Sequence, residues 1–246
     1  MSRYSITQQE MNEQTIKFKN NYPKFEPYNL KISQHENQYE KYHYLIEKQN
    51  GPDFDDYIID ENHKIYRYLE KYFTTGEELL MVGCGAGREV LAALSIGLCP
   101  RGITLGSRNI EFATKYIGVP SDRICESIVE DLPFPSKSFN GVFAAQTAEH
   151  FIAPSVCLLE INRVLIDGGK LFLEWPPSKD FHGGDNHHHQ ICYAPGQMMS
   201  LLQKTGFGEI EFTKDNLESI PESDIWRCDQ NYFLCVFARK IRHINV

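Results

Sequence analysis

From about residue 60 onward, short apolar runs alternate with segments whose apolar residues recur at helical spacing. The runs predict seven strands, over 78–82, 101–105, 123–129, 140–145, 170–175, 209–213 and 232–238. The helical spacing predicts helices over 61–73, 90–96, 107–116, 155–165 and 195–205. Strands that alternate with helices imply right-handed crossovers, and therefore a doubly wound, mainly parallel α/β sheet. No helix is expected between the last two strands, which predicts that the last strand is antiparallel.

The first 55 residues follow a different pattern. They are rich in Gln, Asn, Glu, Lys and Tyr, and Pro23 and Pro27 interrupt any long helix. Two short helices are expected here, near 7–19 and 35–48, as an appendage that forms a lid over a ligand or a partly ordered arm. We therefore divide the chain into this N-terminal helical appendage, 1–55, and an α/β domain, 56–246.

Composition narrows the choice of partner and compartment. The chain has 246 residues, a formal net charge of −8 and 41% hydrophobic residues, which is ordinary for one soluble domain. The acidic balance disfavours a nucleic-acid partner and favours a small-molecule substrate, while no oligomeric state is indicated. The sequence contains no run long enough to span a bilayer and no signal segment, so no membrane association is expected. Its seven cysteines are scattered without a Cys-x-x-Cys pair, which predicts reduced thiols and a cytoplasmic location.

The candidate ligand site is a glycine-rich stretch at 79–89. Four apolar residues run into Gly83, Gly85 and Gly87, and a helical pattern follows at once. This arrangement predicts a strand, a tight turn and a helix N-terminus, whose free N–H groups suit a nucleotide-like ligand. A nicotinamide cofactor is the weaker alternative. The nicotinamide-binding motif places its third glycine one residue later than Gly87. It also requires a carboxylate at the end of the second strand, where this chain has Thr104 and no acidic neighbour.

Several downstream blocks decide between these ligands. Residues 160–171 read Glu-Ile-Asn-Arg-Val-Leu-Ile-Asp-Gly-Gly-Lys-Leu, which is similar to the E-x-x-R-V-L-x-P-G-G signature of class I S-adenosylmethionine-dependent methyltransferases. Blocks 130–135, 138–143 and 149–151, together with the tail segments 189–195 and 201–207, also resemble this family. The resemblance runs in consistent order from about residue 55 to the C-terminus. It implies a Rossmann-like seven-stranded fold, S-adenosyl-L-methionine as cofactor and methyl transfer as the activity.

The resemblance also implies which residues hold the methionine and ribose parts of the cofactor. The carbonyl of Gly83 and the backbone of Cys84 and Gly85 are expected to face the methionine. Two usual acidic residues are replaced, by Met81 before the glycine turn and by a threonine at the end of the second strand. A subgroup similar to the cyclopropane-fatty-acid synthases pairs such a threonine with a downstream amide. That resemblance implies that Thr104 and Asn109 hold the ribose hydroxyls of the cofactor.

The adenine is expected to be held by Val129 and Glu130, at the end of strand three. Gln146, just after strand four, is expected to face the cofactor by topology. Alternatively, Glu130 lies in a solvated loop without a ligand contact, and the side-chain amide of Gln146 makes its hydrogen bonds within the turn.

Glu149 and His150 are the candidate catalytic residues, because they follow strand four where the methyl group should project. A base is useful for a hydroxyl acceptor. His150 is therefore either that base or a structural residue that grips the loop, and in the cyclopropane-synthase-like relatives the equivalent of Glu149 lies in the active site.

A histidine-rich stretch, 182–189, raises the alternative of a metal site. Asp185, His187 and His189 share one side if the loop is extended. However, no His-x-x-x-His spacing fixes a coordination geometry, and His189 already belongs to the tail motif. We expect a metal-free loop that faces the substrate.

The sequence thus predicts an S-adenosylmethionine-dependent methyltransferase that acts on a small molecule, with oxygen favoured over nitrogen or carbon as the acceptor. Two alternatives stay open: a degenerate, non-catalytic cofactor-binding or scaffold protein of the same fold, and a protein or RNA methyltransferase.

Overall fold

The computed structural model describes residues 59–177, 191–227 and 229–244. The expected appendage at 1–55 and the histidine-rich stretch 182–189 lie outside these ranges. The division of the chain at residue 55 and the metal-free character of that stretch therefore stay predictions.

A seven-stranded sheet with the order β3-β2-β1-β4-β5-β7-β6 organises the described chain. Its strands are β1 Glu78–Val82, β2 Cys99–Thr104, β3 Ile124–Glu126, β4 Phe139–Ala145, β5 Leu165–Trp175, β6 Phe207–Lys214 and β7 Leu234–Lys240. Strands β1 to β5 pair in parallel, whereas β7 is antiparallel to both β5 and β6. The predicted doubly wound, mainly parallel sheet with an antiparallel last strand is confirmed.

Helices cover both faces of the sheet. They are α1 Lys64–Tyr72, α2 Arg88–Ser95, α3 Ser107–Phe112, α4 Pro154–Val164 and α5 Pro195–Lys204. Helix α3 continues into a wider π-helical turn, Ala113–Ile117, that ends at Gly118.

Strand β1 shows why the centre of the sheet is apolar at consecutive positions. Leu80 and Val82 join the buried cluster on one face, and Leu79 and Met81 join the cluster on the other. Successive side chains of a strand point to opposite faces, so a strand covered on both sides has no polar face.

Several boundaries differ from the prediction. The third strand ends at Glu126, so Val129 and Glu130 lie in the following turn and not at a strand end. Strand β5 begins at Leu165 and not at 170, because Leu165 pairs with Phe139 before a register shift that takes up the intervening residues. Finally, α3 ends at Phe112, whereas this helix was expected to reach residue 116.

The carboxyl ends of the parallel strands meet at one edge of the sheet. Strand β1 lies between β2 and β4, so the chain reverses its direction of winding there, and this is where α/β sheets bind ligands. Within the described ranges, no helix has the length and apolar character needed to cross a membrane.

Candidate functional site

Two adjoining cavities open at the carboxyl ends of β1, β2 and β4, and both are lined by Gly83. The large cavity has a volume of about 450 Å³. Its wall includes the glycine turn, the starts of α1 and α2, Gln146, Glu174 and Phe233. The small cavity is lined by the end of β2, the turn after β3 and the loop after β4. Gly83 therefore lies at the junction of two differently lined halves of one site.

The glycine turn is dictated by backbone conformation and by packing. Gly83, Gly85 and Gly87 all have positive φ values, of 68°, 49° and 79°, where other residues are strained. A Cβ on Gly83 would lie 2.3 Å from Oγ1 of Thr147, and one on Gly87 would lie 2.7 Å from a methyl group of Val119. Two of the three glycines are therefore required by neighbouring side chains as well as by their backbone conformation.

Backbone groups dominate the surface that this turn presents. The Cys84 side chain is buried, and its sulfur would lie 2.6 Å from a Cβ on Gly102. The Cys84 amide donates to the carbonyl of Ile103 over 3.0 Å, which fixes the turn against β2. The start of α2 follows, where helices carry unpaired N–H groups and the positive end of their dipole.

Thr104 and Asn109 are brought together behind the small cavity. Both are buried, and the Asn109 amide nitrogen lies 2.6 Å from the carbonyl of Leu105 and 3.4 Å from the Thr104 hydroxyl. The Asn109 Oδ1 atom is buried without a hydrogen-bond partner among the described residues. Because buried polar atoms are normally paired, this free acceptor suits a ligand hydroxyl group.

Val129 and Glu130 line the small cavity from the turn after β3. The Glu130 carboxylate also lies beside the thiol of Cys157, where burial and then Glu130 raise the thiol pKa well above its usual value. The adenine contact predicted for Glu130 therefore involves a carboxylate that already faces α4.

The E-x-x-R part of the family signature holds this turn in place. The fully buried Glu160 accepts hydrogen bonds from the Leu132 amide at 3.0 Å and from Arg163 Nε and Nη2 at 2.9 Å. Arg163 also donates to the carbonyls of Phe134 at 2.7 Å and Leu132 at 3.0 Å. This Glu160–Arg163 clamp fastens the loop that carries the small-cavity residues to α4, so the signature acts structurally.

Glu174 of β5 was missed by the sequence interpretation. Its side chain is fully buried, yet it lines the large cavity. It accepts hydrogen bonds from Lys64 Nζ at 3.0 Å, from Tyr68 at 2.8 Å and from the Gln146 amide at 2.8 Å. The signal that could have revealed it is a single acidic residue between Leu173 and Trp175 in an otherwise apolar run.

Other charged groups complete the wall of the large cavity. Arg88 and Glu89 lie 3.4 Å apart at the start of α2. Burial raises the pKa of Glu89. Burial, with the positive charges of Arg88 and Lys64, lowers the pKa of His63, so this imidazole is mainly neutral at pH 7.

Glu149 and His150 lie in a short helical turn after β4, Ala148–His150. His150 lines the small cavity, and its Nε2 is 3.9 Å from Oε1 of Glu149. Glu149 is 1% exposed, and neither carboxyl oxygen has a hydrogen-bond partner among the described residues. Burial raises the pKa of Glu149 to about 8, and the charge of Glu174 acts in the same direction. At neutral pH Glu149 is therefore mostly a protonated, uncharged acid.

No group of three or more His, Cys, Asp or Glu side chains that could hold a metal ion occurs within 59–177, 191–227 and 229–244. The metal alternative concerned Asp185, His187 and His189, which lie outside these ranges.

Comparison with known proteins shows a similarity to methyltransferases. A methyltransferase domain family matches residues 80–173, from β1 into β5. The O-methyltransferase resE of Aspergillus sclerotiorum is 29% identical over 163 residues, which are 60% of this chain and 61% of the relative. A fatty-acid O-methyltransferase of Mycolicibacterium smegmatis is 27% identical over 173 residues, which are 66% and 62% of the two chains. The chain thus spans a little under two thirds of the length of both relatives.

The fold is shared with solved structures. One is the Haemonchus contortus phosphoethanolamine N-methyltransferase 2 in complex with S-adenosyl-L-methionine. It superposes with a TM-score of 0.58 at 18% identity, over 73% of this chain and 52% of that one. The matched range contains the glycine turn, the Glu160–Arg163 clamp, strands β2 to β4 and most of β1 and β5. Residues 80–173 are therefore similar to a methyltransferase domain, and the described fold is shared with S-adenosylmethionine-dependent methyltransferases of known structure.

Proposed function

We propose that this protein transfers a methyl group from S-adenosyl-L-methionine to an oxygen atom of a small-molecule acceptor. The observation that carries the proposal is the pair of cavities that meet at Gly83, at the switch point of the sheet. A ligand with an adenosine half and an amino-acid half suits two adjoining cavities with different walls.

The residues present fit this cofactor. Thr104 and the unpaired Oδ1 of Asn109 suit the ribose hydroxyls, and Val129 with Glu130 suits the adenine. The backbone of Gly83, Cys84 and Gly85 suits the methionine end, with Gly87 shaping the turn and Gln146 facing it from β4. When bound, S-adenosylmethionine supplies a methyl group on a sulfonium sulfur. This sulfur is a good leaving group because it departs as a neutral thioether.

Glu149 and His150 would serve an oxygen acceptor. A hydroxyl group becomes a better nucleophile as its proton is removed, and a neighbouring base is suited to this task. The imidazole of His150 reaches the small cavity and is the candidate for this base, whereas Glu149 beside it is mostly protonated at neutral pH, so only its minor ionised fraction could accept a proton. The names of the two relatives, an O-methyltransferase and a fatty-acid O-methyltransferase, support oxygen over nitrogen or carbon.

Calorimetric titration with S-adenosylmethionine and S-adenosylhomocysteine tests the cofactor. We expect saturable binding of both, and an absence of heat and of thermal stabilisation at millimolar ligand would refute the proposal. The reaction is tested with methyl-labelled cofactor and separate pools of hydroxylated, carboxylated and amine compounds. Label in the hydroxyl or carboxyl pools is expected. Label in the amine pool alone would refute the oxygen preference, and binding without transfer to any pool would favour the non-catalytic alternative.

A further inference from the structure

We propose that Glu174 is a positioning residue of the cofactor site: it holds Gln146 and Lys64 in place and supplies the negative charge that balances a cationic ligand in the large cavity. This inference rests on the proposed function, because it concerns how the same site holds S-adenosylmethionine.

Gln146 has a strained conformation that Glu174 maintains. Its φ is 53°, in the left-handed region that few non-glycine residues adopt. Its backbone N–H donates to the carbonyl of Glu174 over 2.9 Å, and its side-chain Nε2 donates to Oε1 of Glu174 over 2.8 Å. Both bonds come from one residue, so Glu174 fixes the backbone and the side chain of Gln146 together.

The chemistry of the pair decides which atom Gln146 offers to the ligand. An ionised carboxylate only accepts hydrogen bonds, so the amide nitrogen must be the atom that faces Glu174. The carbonyl oxygen of Gln146 then accepts no hydrogen bond from a residue that the structure describes, and Gln146 lines the large cavity beside the glycine turn. It is an acceptor suited to a ligand ammonium group.

Glu174 itself is held rigidly. Lys64 and Gln146 bind Oε1, and Tyr68 binds Oε2 while also lying 2.9 Å from the carbonyl of Asp215. Burial, and then the charge of Glu174, raise the pKa of Tyr68, so this hydroxyl keeps its proton as a donor. A carboxylate with both oxygens engaged and no exposed surface cannot turn away from its partners.

Lys64 gives the arrangement an electrostatic consequence. Its ammonium group lies 3.0 Å from Glu174 and 4.2 Å from the centroid of the Phe233 ring, and both Lys64 and Phe233 line the large cavity. Without Glu174, the lysine charge would be unbalanced in the cavity. S-adenosylmethionine carries a sulfonium charge that S-adenosylhomocysteine lacks, so removal of Glu174 would penalise the first ligand more than the second.

The test compares E174Q and E174M in the full chain by calorimetric titration with both ligands. E174Q keeps an acceptor oxygen for Gln146 but removes the charge, and E174M removes both. We expect E174M to weaken both ligands by at least about tenfold, as for a lost hydrogen bond to a charged group. We expect E174Q to leave S-adenosylhomocysteine within about threefold and to weaken S-adenosylmethionine about fivefold more.

The matched control is E77Q. Glu77 also binds a lysine, with oxygens 2.7 and 2.9 Å from Lys170 Nζ, but it lies before β1, at the opposite edge of the sheet from the site. Its substitution is expected to leave both affinities within about twofold. If E174M does not fold, Q146A provides the same information, because Gln146 is exposed. Q146A should weaken both ligands about tenfold.

The outcomes separate the two proposals. Equal losses of both ligands in E174Q, or undiminished binding in E174M and Q146A, would overturn the role of Glu174 while the cofactor assignment stands. If the unaltered protein binds neither ligand, the proposed function is wrong and this inference fails with it.

Discussion

The Glu160–Arg163 clamp gives the sharpest prediction about stability, through the substitution R163M. Methionine keeps most of the apolar stem of arginine but removes every donor. The buried carboxylate of Glu160 then loses both hydrogen bonds from the guanidinium, and the carbonyls of Leu132 and Phe134 lose their arginine donors.

The expected loss of unfolding free energy in R163M follows from the buried carboxylate that the substitution leaves without its cation. Removal of one partner from a buried ion pair costs about 3–5 kcal/mol, because the other charge stays buried without compensation. That is a large part of a typical unfolding free energy of about 5–15 kcal/mol. For a domain of this size it corresponds to a fall in melting temperature of roughly 6–20 °C.

Urea denaturation followed by circular dichroism measures the effect. The control is R239M: the half-buried Arg239 binds the exposed Glu209 at 3.2 Å and donates to the Gly168 carbonyl at 3.2 Å, and its substitution should cost about 1 kcal/mol. The double variant E160M/R163M should cost less than the sum of its two single variants, by about 1–3 kcal/mol. A cost for R163M below about 1 kcal/mol, or strict additivity in the cycle, would contradict the assigned role of the clamp.

Three further predictions concern the site. The pKa of Glu149 is about 8 in the folded protein and about 4.3 in an unfolded chain. Between these two pH values the folded state binds one proton more than the unfolded state. The free energy of unfolding therefore falls as the pH rises from about 4.3 to about 8. In urea denaturation between pH 5 and 8.5, E149Q should abolish this dependence of the unfolding free energy on pH. At the upper end of the range it should be more stable than the natural protein, by up to about 5 kcal/mol. An unchanged pH dependence in E149Q would show that other groups cause it. G83A should lower the unfolding free energy by about 2–4 kcal/mol, because its Cβ meets Thr147, whereas G168A, with positive φ and open space, should cost about 1 kcal/mol; equal losses would contradict the packing argument. T104V should weaken S-adenosylhomocysteine binding about tenfold without loss of melting temperature, and unchanged affinity would remove Thr104 from the ribose contacts.

The core of the fold could be predicted because its signals are local. Strand β1 was predicted with the observed bounds, since an apolar strand buried on both faces leads directly into a glycine turn. Strand β3 was extended too far, because Ile128 and Val129 continue the apolar pattern although they lie in a loop, where Val129 packs against the core. Apolar character alone does not distinguish a strand from a buried turn.

The site could be predicted only in part because its polar network is assembled by the fold. The glycine turn and the Thr104–Asn109 pair lie within short stretches of chain, so their residues were identifiable. The Lys64–Glu174 ion pair joins residues 110 positions apart, and no local pattern connects them. The signature residues Glu160 and Arg163 were recognised, but their structural role depends on carbonyls about 30 positions earlier.

The position of β7 has a consequence for the order of folding. Strand β6 precedes β7 in the chain but does not pair with β5, because β7 lies between them. Six positions of β5, Lys170–Trp175, therefore have no neighbour on that side until Leu234–Lys240 has been synthesised. Lys240 then donates to the carbonyls of Asn162 and Leu165, which ties the closing strand to the end of α4. A nascent or cleaved chain that stops before β7 exposes an apolar strand edge, so we expect it to aggregate or to require a chaperone.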